Sequence, residues 1–318
     1  MSVLRPGHGA FVHDAVYDPS GQYFATCSSD RKLKIFSLVN QQWTLLCEAQ
    51  DHTSTILRIA WAHPCCGLKL ATTSTDQNIN VYKIARASPS TATISLADGG
   101  VYRTSKDVAL DIAFSPRQHG FLLAVAKNSG TVELVDFSQR TQNRELSISL
   151  DSPGHPISSC GKVGASAVAW CTSVVEREKI VAVGASSGSF FVYRFESGRG
   201  SIPLCHSLTD AEMPISLGEK VSSISWAAAV GRKYQLVAVC SNSQVRVLQM
   251  TPVRDPDSGG VIKYVVSIFS TTAEKAQRVS WDPSGTLLGV ACEAECVLLA
   301  KRDPTDHQSW KRIEPEEN

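Results

Sequence analysis

Six times along this chain an apolar stretch closes on an aromatic residue, turns, and is followed by two further short apolar stretches. The aromatics are Tyr17, Trp61, Phe114, Trp170, Trp226 and Trp281, spaced 44, 53, 56, 56 and 55 residues apart. A period of this length, built from short strands, is the signature of a β-propeller in which each repeat is one blade. A chain of 318 residues would ordinarily suggest about two domains, but six blades take up all of it. The predicted architecture is all-β: one six-bladed propeller over 1–318, with blades near 11–48, 52–103, 107–150, 164–209, 220–268 and 276–313. A β-sandwich, the competing all-β layout, does not account for six repeats in phase. No segment shows sustained helical periodicity.

The second strand of each repeat pairs a large apolar residue with a small one. It reads Phe24-Ala25, Leu70-Ala71, Leu123-Ala124, Val181-Ala182, Val237-Ala238 and Leu288-Gly289. The small residue lets neighbouring blades approach closely near a crowded axis. The third strands are short and mostly β-branched or aromatic, as in Leu33-Lys34-Ile35-Phe36, Phe190-Phe191-Val192-Tyr193 and Cys296-Val297-Leu298-Leu299. Asp18-Pro19-Ser20-Gly21 and Asp282-Pro283-Ser284-Gly285 are turn sequences between first and second strands.

The polar signature of WD repeats is eroded along most of the chain. Ser29-Asp30 and Thr75-Asp76 keep the turn aspartate, and Asp51-His52 offers one histidine. Blades three to six carry Asn128, Ser187, Asn242 and Glu295 near the aspartate position. An Asp-His-Ser-Trp hydrogen-bond chain cannot run through every blade, and apolar packing is expected to hold those four.

Composition removes several function classes. A net charge of +1 provides no basic footprint for nucleic acid. No apolar run reaches membrane-span length, and Met1–Gly7 has no apolar signal-like core, since Pro6 and Gly7 interrupt it. The ten cysteines contain no C-x-x-C pair. Cys27, Cys240, Cys292 and Cys296 fall in or beside apolar strands, where cysteine acts as a small hydrophobe, and Cys65-Cys66 sits in a turn. Cys292 and Cys296 lack the paired Cys/His set of a structural metal site. Unpatterned cysteines without a signal peptide fit a reducing compartment. No cofactor and no metal are expected.

One catalytic pattern matches: Gly184-Ala185-Ser186-Ser187-Gly188 is a G-x-S-x-G. A nucleophile elbow needs a strand, a strained turn and then a helix. Here the following element is the strand Phe190–Tyr193, so a hairpin is expected and enzymatic activity is not. His13-Asp14, at a blade start, reads as a contact between neighbouring turns rather than a catalytic dyad.

Closed propellers usually complete their last blade with an N-terminal strand, and the first ten residues hold only Val3 and Leu4 as large apolar residues before Pro6-Gly7. The first and last repeats already have four candidate strands each. Without a latch, apolar faces and strand edges of blades one and six would be left open, a liability that invites a partner segment. The candidate partner-binding residues are Val3, Leu4, Phe24, Ile35 and Phe36 at one end and Leu288, Val297 and Leu299 at the other. Strand alternation allows only about half of them to face one side.

The residues resemble a known family. Ser223-Ile224-Ser225-Trp226 is followed by Gly231-Arg232, Leu236-Val237-Ala238, Val245-Arg246-Val247-Leu248 and Pro252-Val253-Arg254. This pattern is similar to the fifth blade of the Seh-type WD-repeat nucleoporins. Further matches are His13-Asp14, Ala25–Asp30, Trp61-Ala62-His63-Pro64, Phe114-Ser115-Pro116 and Arg278-Val279-Ser280-Trp281, in order from about Val12 to Trp310. His13-Asp14 and Ala25–Asp30 are shared with the sister propeller of the COPII coat, the Sec-thirteen family. The resemblance implies an open propeller and a scaffold role in the Y-shaped outer ring of the nuclear pore complex. It implies an α-solenoid nucleoporin that donates a seventh blade in trans, other Y-complex nucleoporins as partners, a nuclear-envelope location and support of nucleocytoplasmic transport. It also implies a second role at the vacuole or lysosome surface in a TOR-regulating coat. Glu293-Ala294-Glu295-Cys296 and Leu299-Ala300-Lys301 depart from the family pattern beside the implied opening. The alternatives are a COPII-type coat propeller and a closed, peptide-reading WD-repeat adaptor. Against the second, the turns Ser186-Ser187-Gly188 and Ser241-Asn242-Ser243 are small and neutral.

Overall fold

The computed structural model describes residues 4–88, 91–104, 107–138, 143–149, 163–173, 178–196, 204–207, 215–228, 231–254, 256–257, 259, 261–272, 275–293, 297–302 and 310–313. Among them there is no α-helix, only two 3-10 turns, Pro64–Cys66 and Arg117–His119. None is long and apolar enough to cross a membrane. The chain falls into two compact units, Met1–Ser147 and Ile148–Asn318.

The first unit holds three antiparallel sheets, each with its strands in sequence order. Sheet one is β1 (Val12–Tyr17), β2 (Tyr23–Ser28), β3 (Leu33–Val39) and β4 (Gln42–Ala49). Sheet two is β5 (Ile56–Trp61), β6 (Lys69–Ser74), β7 (Asn78–Ser88) and β8 (Thr91–Arg103). Sheet three is β9 (Ala109–Phe114), β10 (Leu122–Lys127), β11 (Thr131–Asp136) and β12 (Asn143–Ser149), the last crossing the unit boundary.

The second unit repeats the plan. Sheet four is β13 (Ala165–Trp170), β14 (Lys179–Ala185), β15 (Ser189–Glu196) and β16 (Leu204–Ser207), with the short β17 (Ile215–Ser216) also paired to β15. Sheet five is β18 (Ser223–Trp226), β19 (Gln235–Cys240), β20 (Gln244–Arg254) and β21 (Val261–Thr272). Sheet six is β22 (Ala276–Trp281), β23 (Leu287–Cys292), β24 (Val297–Arg302) and β25 (Trp310–Ile313). Each of the six repeat aromatics is the last residue of the first strand of its sheet.

Local chemistry explains the strand ends. In the turn after β1 the Asp18 carbonyl accepts from Gly21 N at 3.0 Å, and its carboxylate accepts from Tyr23 N at 2.7 Å. The turn after β22 uses Asp282 in the same way, with Gly285 N at 2.9 Å and Leu287 N at 2.7 Å. Gly21 and Gly285 sit at φ 70° and 66°, where a side chain would be strained.

Within each unit, neighbouring sheets stack through alternate side chains of their middle strands. Ala25, Cys27, Leu33 and Ile35 of sheet one share a core with Ile56, Trp61, Leu70 and Tyr82 of sheet two. Ile79 and Val81 pack with Ile112, Leu123 and Val125 of sheet three. In the second unit, Ala182, Phe190 and Val192 meet Trp226, Val237 and Leu248, whereas Ala238, Val245 and Val247 meet Val279, Leu288 and Val290. Polar bonds between first strands fix the stacking. Trp61 Nε1 donates to Val16 O at 3.1 Å and Trp281 Nε1 to Ser225 O at 3.0 Å, so each indole reaches the residue just before the preceding repeat's aromatic. Asp14 Oδ2 accepts from Ile59 N at 2.9 Å, the contact between neighbouring repeats expected of His13-Asp14, and His13 Nε2 lies 2.6 Å from Ser29 Oγ.

Sheet three departs from the expectation of purely apolar packing. Lys127 Nζ and Glu133 Oε2 form an ion pair at 2.7 Å with side chains 4% and 2% exposed. Tyr102 Oη of sheet two donates to the same Glu133 oxygen at 2.9 Å, and Lys127 Nζ donates to Thr104 O at 3.4 Å. Breaking a buried pair by removing one charge costs about 3–5 kcal/mol, because the other charge is left desolvated. K127M is therefore expected to lower the melting temperature sharply, and K127M/E133L to recover most of the loss. Thermal denaturation of the two variants checks this; equal destabilisation by both would contradict it.

Candidate interaction face

Sheet one has two faces, and strand parity assigns them. Ala25, Cys27, Leu33 and Ile35 point into the core shared with sheet two. Their alternates Phe24, Thr26, Lys34 and Phe36 lie on the other side. Strand register places Tyr17 beside Phe24, Phe24 beside Phe36 and Phe36 beside Leu45, an apolar row across all four strands. Trp43 joins it, with ring centroids 5.6 Å from Tyr17 and 5.9 Å from Phe24. The Tyr17 and Phe24 centroids are 4.7 Å apart and those of Phe24 and Phe36 6.4 Å, within the range where aromatic pairs attract. This row remains wet at its rim: Tyr17 is 57% exposed, Leu45 49% and the neighbouring Leu38 46%. Phe36 is buried and Phe24 and Trp43 are half-buried beneath that rim, and an apolar rim exposed on a folded sheet makes it a candidate interaction site.

The N-terminal segment lies against the same sheet. Lys34 Nζ, itself buried, donates to Gly7 O at 2.7 Å and to Pro6 O at 3.2 Å. His8 is clamped between Asp30 Oδ2 at 2.9 Å and Thr26 Oγ1 at 2.8 Å, and Gly9 N donates to Asp30 Oδ2 at 3.0 Å. Hydrogen bonds involving a charged partner contribute about 1.5–3 kcal/mol each, enough to hold a short segment in place. Sheet two repeats the clamp with His52, between Asp76 Oδ2 at 2.9 Å and Thr72 Oγ1 at 2.8 Å.

The carboxylates of both clamps titrate low. Burial opposes their ionisation, but the hydrogen bonds of Lys32 N, His8 and Gly9 N at Asp30, and of His52, Thr53 N and Asn78 N at Asp76, outweigh it. Burial pushes His52 below its ordinary value despite the Asp76 contact. The neutral ring donates from Nδ1 to the carboxylate and accepts the Thr72 hydroxyl at Nε2.

Comparison with known proteins agrees with this repeat chemistry. The family model for the WD domain, G-beta repeat, matches residues 2–37, the span that holds the His8–Asp30 clamp. Nucleoporin SEH1-A of Xenopus laevis is 28% identical over 98% of this chain and 86% of that protein. Nucleoporin SEH1 of Homo sapiens is 27% identical over 97% and 86%, and that of Saccharomyces cerevisiae 28% over 98% and 88%. This chain is similar to the Seh1 nucleoporins over nearly its whole length. A chain of a solved structure, Crystal Structure of Mitotic Checkpoint Complex, superposes with a TM-score of 0.63 at 15% identity, covering 95% of this chain and 74% of that one. That match concerns the fold alone. The fold class is the all-β WD-repeat propeller, and the six sheets are its blades.

The aromatic face draws in some of the residues expected from sequence and not others. Phe24 and Phe36 lie on the outward aromatic face. Ile35 is fully buried in the core shared with blade two, and Leu288, 1% exposed, is committed to the core shared with blade five. Leu4 is half-buried in the N-terminal segment. Val3 and the side chains of Val297 and Leu299 lie outside the described residues. Ser186 sits in the hairpin between β14 and β15, where its Oγ accepts from Gly164 N at 2.9 Å. No helix follows it, so the elbow geometry is absent at this serine. Cys296 and Glu295 also lie outside the described residues.

His8, Lys34, Tyr17, Trp43 and Leu45 were not among the expected site residues. The Gly7-His8 pair stands 22 residues before Asp30, close to the 24 between His52 and Asp76, and that repeat of spacing is the signal that finds it.

The clamps predict an acid-labile fold. A histidine whose folded-state value lies below 6.5 stabilises the fold above that pH and loses the contribution as pH falls through it. Asp30 and Asp76, held below 3.8, give a second loss at lower pH still. The melting temperature is expected to fall between about pH 7 and about pH 5, and H52Q is expected to flatten that window. A wild-type melting temperature indifferent to pH over this range would contradict the neutral, buried His52.

Proposed function

We propose that this chain is a structural scaffold of the nuclear pore outer ring, a Y-complex component that receives a blade donated in trans by an α-solenoid nucleoporin. The observation that carries the reading is the outward face of blade one. Tyr17, Phe24, Phe36, Trp43 and Leu45 form an apolar surface with a wet rim on an otherwise well-packed unit. A strand laid on that face would bury it in the way that each blade buries the next. The likeness to Seh1 nucleoporins over nearly the whole chain supports the setting, including a location at the nuclear pore. Phe24 and Phe36 are the contact residues retained from the sequence, and Val3, Leu4, Val297 and Leu299 remain candidates beside them. In this reading no residue carries a catalytic role, and the chain acts by holding its partner.

The test uses rim positions, where substitution leaves the fold intact. L38D/L45D changes side chains that are 46% and 49% exposed and take no part in the ring contacts, and such changes ordinarily alter stability by less than about 0.5 kcal/mol. Co-purification with α-solenoid outer-ring nucleoporins is expected to be lost in this variant while its melting temperature stays that of the wild type. Undiminished co-purification would remove the face from the account. Partners drawn from a vesicle coat instead would favour the COPII-type alternative.

A further inference from the structure

Most of the described cysteines serve packing. Cys27, Cys171 and Cys240 are buried in or beside strands, and Cys47 and Cys292 are half-buried on strands. Cys65 and Cys66 are different. They occupy the 3-10 turn Pro64–Cys66 between β5 and β6, which buries none of its residues. Cys65 is exposed and Cys66 half-buried. The turn is held from both ends: His63 Nδ1 accepts from Cys65 N at 3.2 Å, and Gly67 N donates to Pro64 O at 3.0 Å. Two adjacent thiols are thereby presented together at the surface of blade two, and the packing of the blade does not need them.

The separation of the sulfurs selects the chemistry. Cys65 Sγ and Cys66 Sγ are 3.8 Å apart. A centre bonded to both sulfurs at about 2.3 Å holds them about 3.8 Å apart at a tetrahedral angle and about 3.4 Å apart at the narrower pyramidal angle of trivalent arsenic, so the pair needs to close by only about 0.4 Å. A direct disulfide is a poor fit. It requires Cα atoms about 4.4–6.8 Å apart, and adjacent residues across a trans peptide are held at about 3.8 Å. Burial and the adjacent Cys65 push the Cys66 thiol up to about 11, which leaves it protonated and a weak nucleophile at neutral pH. Lys69, at the start of β6, favours the thiolate once it forms.

We propose that Cys65 and Cys66 form a two-thiolate chelating site for a soft, thiophilic centre. Among the described residues no group of three or more His, Cys, Asp or Glu side chains gathers. The pair therefore supplies two ligands, and the remaining positions belong to water or to groups the ligand brings with it. Soft sulfur donors select soft acceptors such as trivalent arsenic over hard, oxygen-seeking cations. With a trivalent organoarsenical oxide the step balances without redox change. Each thiol loses its proton, two As–S bonds form, and the arsenic-bound oxygen leaves as one water.

The test treats the full-length native protein with phenylarsine oxide and reads the adduct by intact mass after a wash with excess monothiol, which strips single-point attachments. One adduct per chain that consumes two thiols is expected. The second As–S bond forms intramolecularly, so C65S and C66S are each expected to weaken retention by about 10²–10⁴-fold. C65S alters an exposed turn residue and is expected to melt as the wild type does. Retention of the adduct by C65S/C66S, or a native wild type that forms no adduct while the denatured chain does, would overturn the proposal.

Discussion

The closeness of one sheet to the next is the constraint on which the rest of this structure depends. At Gly184 in blade four an added Cβ would lie 2.4 Å from Val221 Cγ1, a contact that no side chain can make. Elsewhere the same close approach is met by Ala25, Ala71, Ala124, Ala182 and Ala238, all fully buried. Large residues sit before these small ones and turn to the opposite face, so each middle strand must be apolar on both sides. An exposed apolar rim on such a sheet then stands out, and blade one has one at Tyr17, Leu38 and Leu45.

The polar groups serve the same stacking. Trp61 and Trp281 use their indole nitrogens to reach the preceding repeat, and Asp14 uses its carboxylate to reach the next one. These bonds satisfy groups that would otherwise be buried without partners, and they fix the angle and height at which the sheets meet. The Lys127–Glu133 pair supplies in blade three what His8–Asp30 and His52–Asp76 supply in blades one and two: a buried charged contact that ties a sheet to its surroundings.

Much of the fold is legible in the sequence because the repeat is a strand repeat. The six aromatics close the first strands, the two Asp-Pro-Ser-Gly turns form as their residues dictate, and Ser186 lies in a hairpin because a β-rich run follows it. The candidate site is legible only in part. Assigning Ile35 to the core shared with blade two and Phe36 to the opposite face requires knowing the parity of β3 against blade two. That parity is a tertiary fact, complicated by the bulge between Ile35 and Phe36 in the pairing with β4. Leu288 falls on the core side of β23 for the same reason. Lys127 escaped notice because a lysine closing an apolar strand reads as a solvated strand end, whereas its partner Glu133 approaches from the neighbouring strand.

The central claim is that the aromatic face of blade one is where a partner is held. Hydroxyl-radical footprinting of the chain, alone and mixed with an α-solenoid outer-ring nucleoporin, tests the proposed contact at the level of single side chains. Tyr17 and Trp43 are expected to be labelled in the free chain and protected in the complex, with Tyr23 and Trp61, already packed in the core shared with blade two, unchanged between the two states. Equal labelling of Tyr17 and Trp43 with and without the partner would contradict the account.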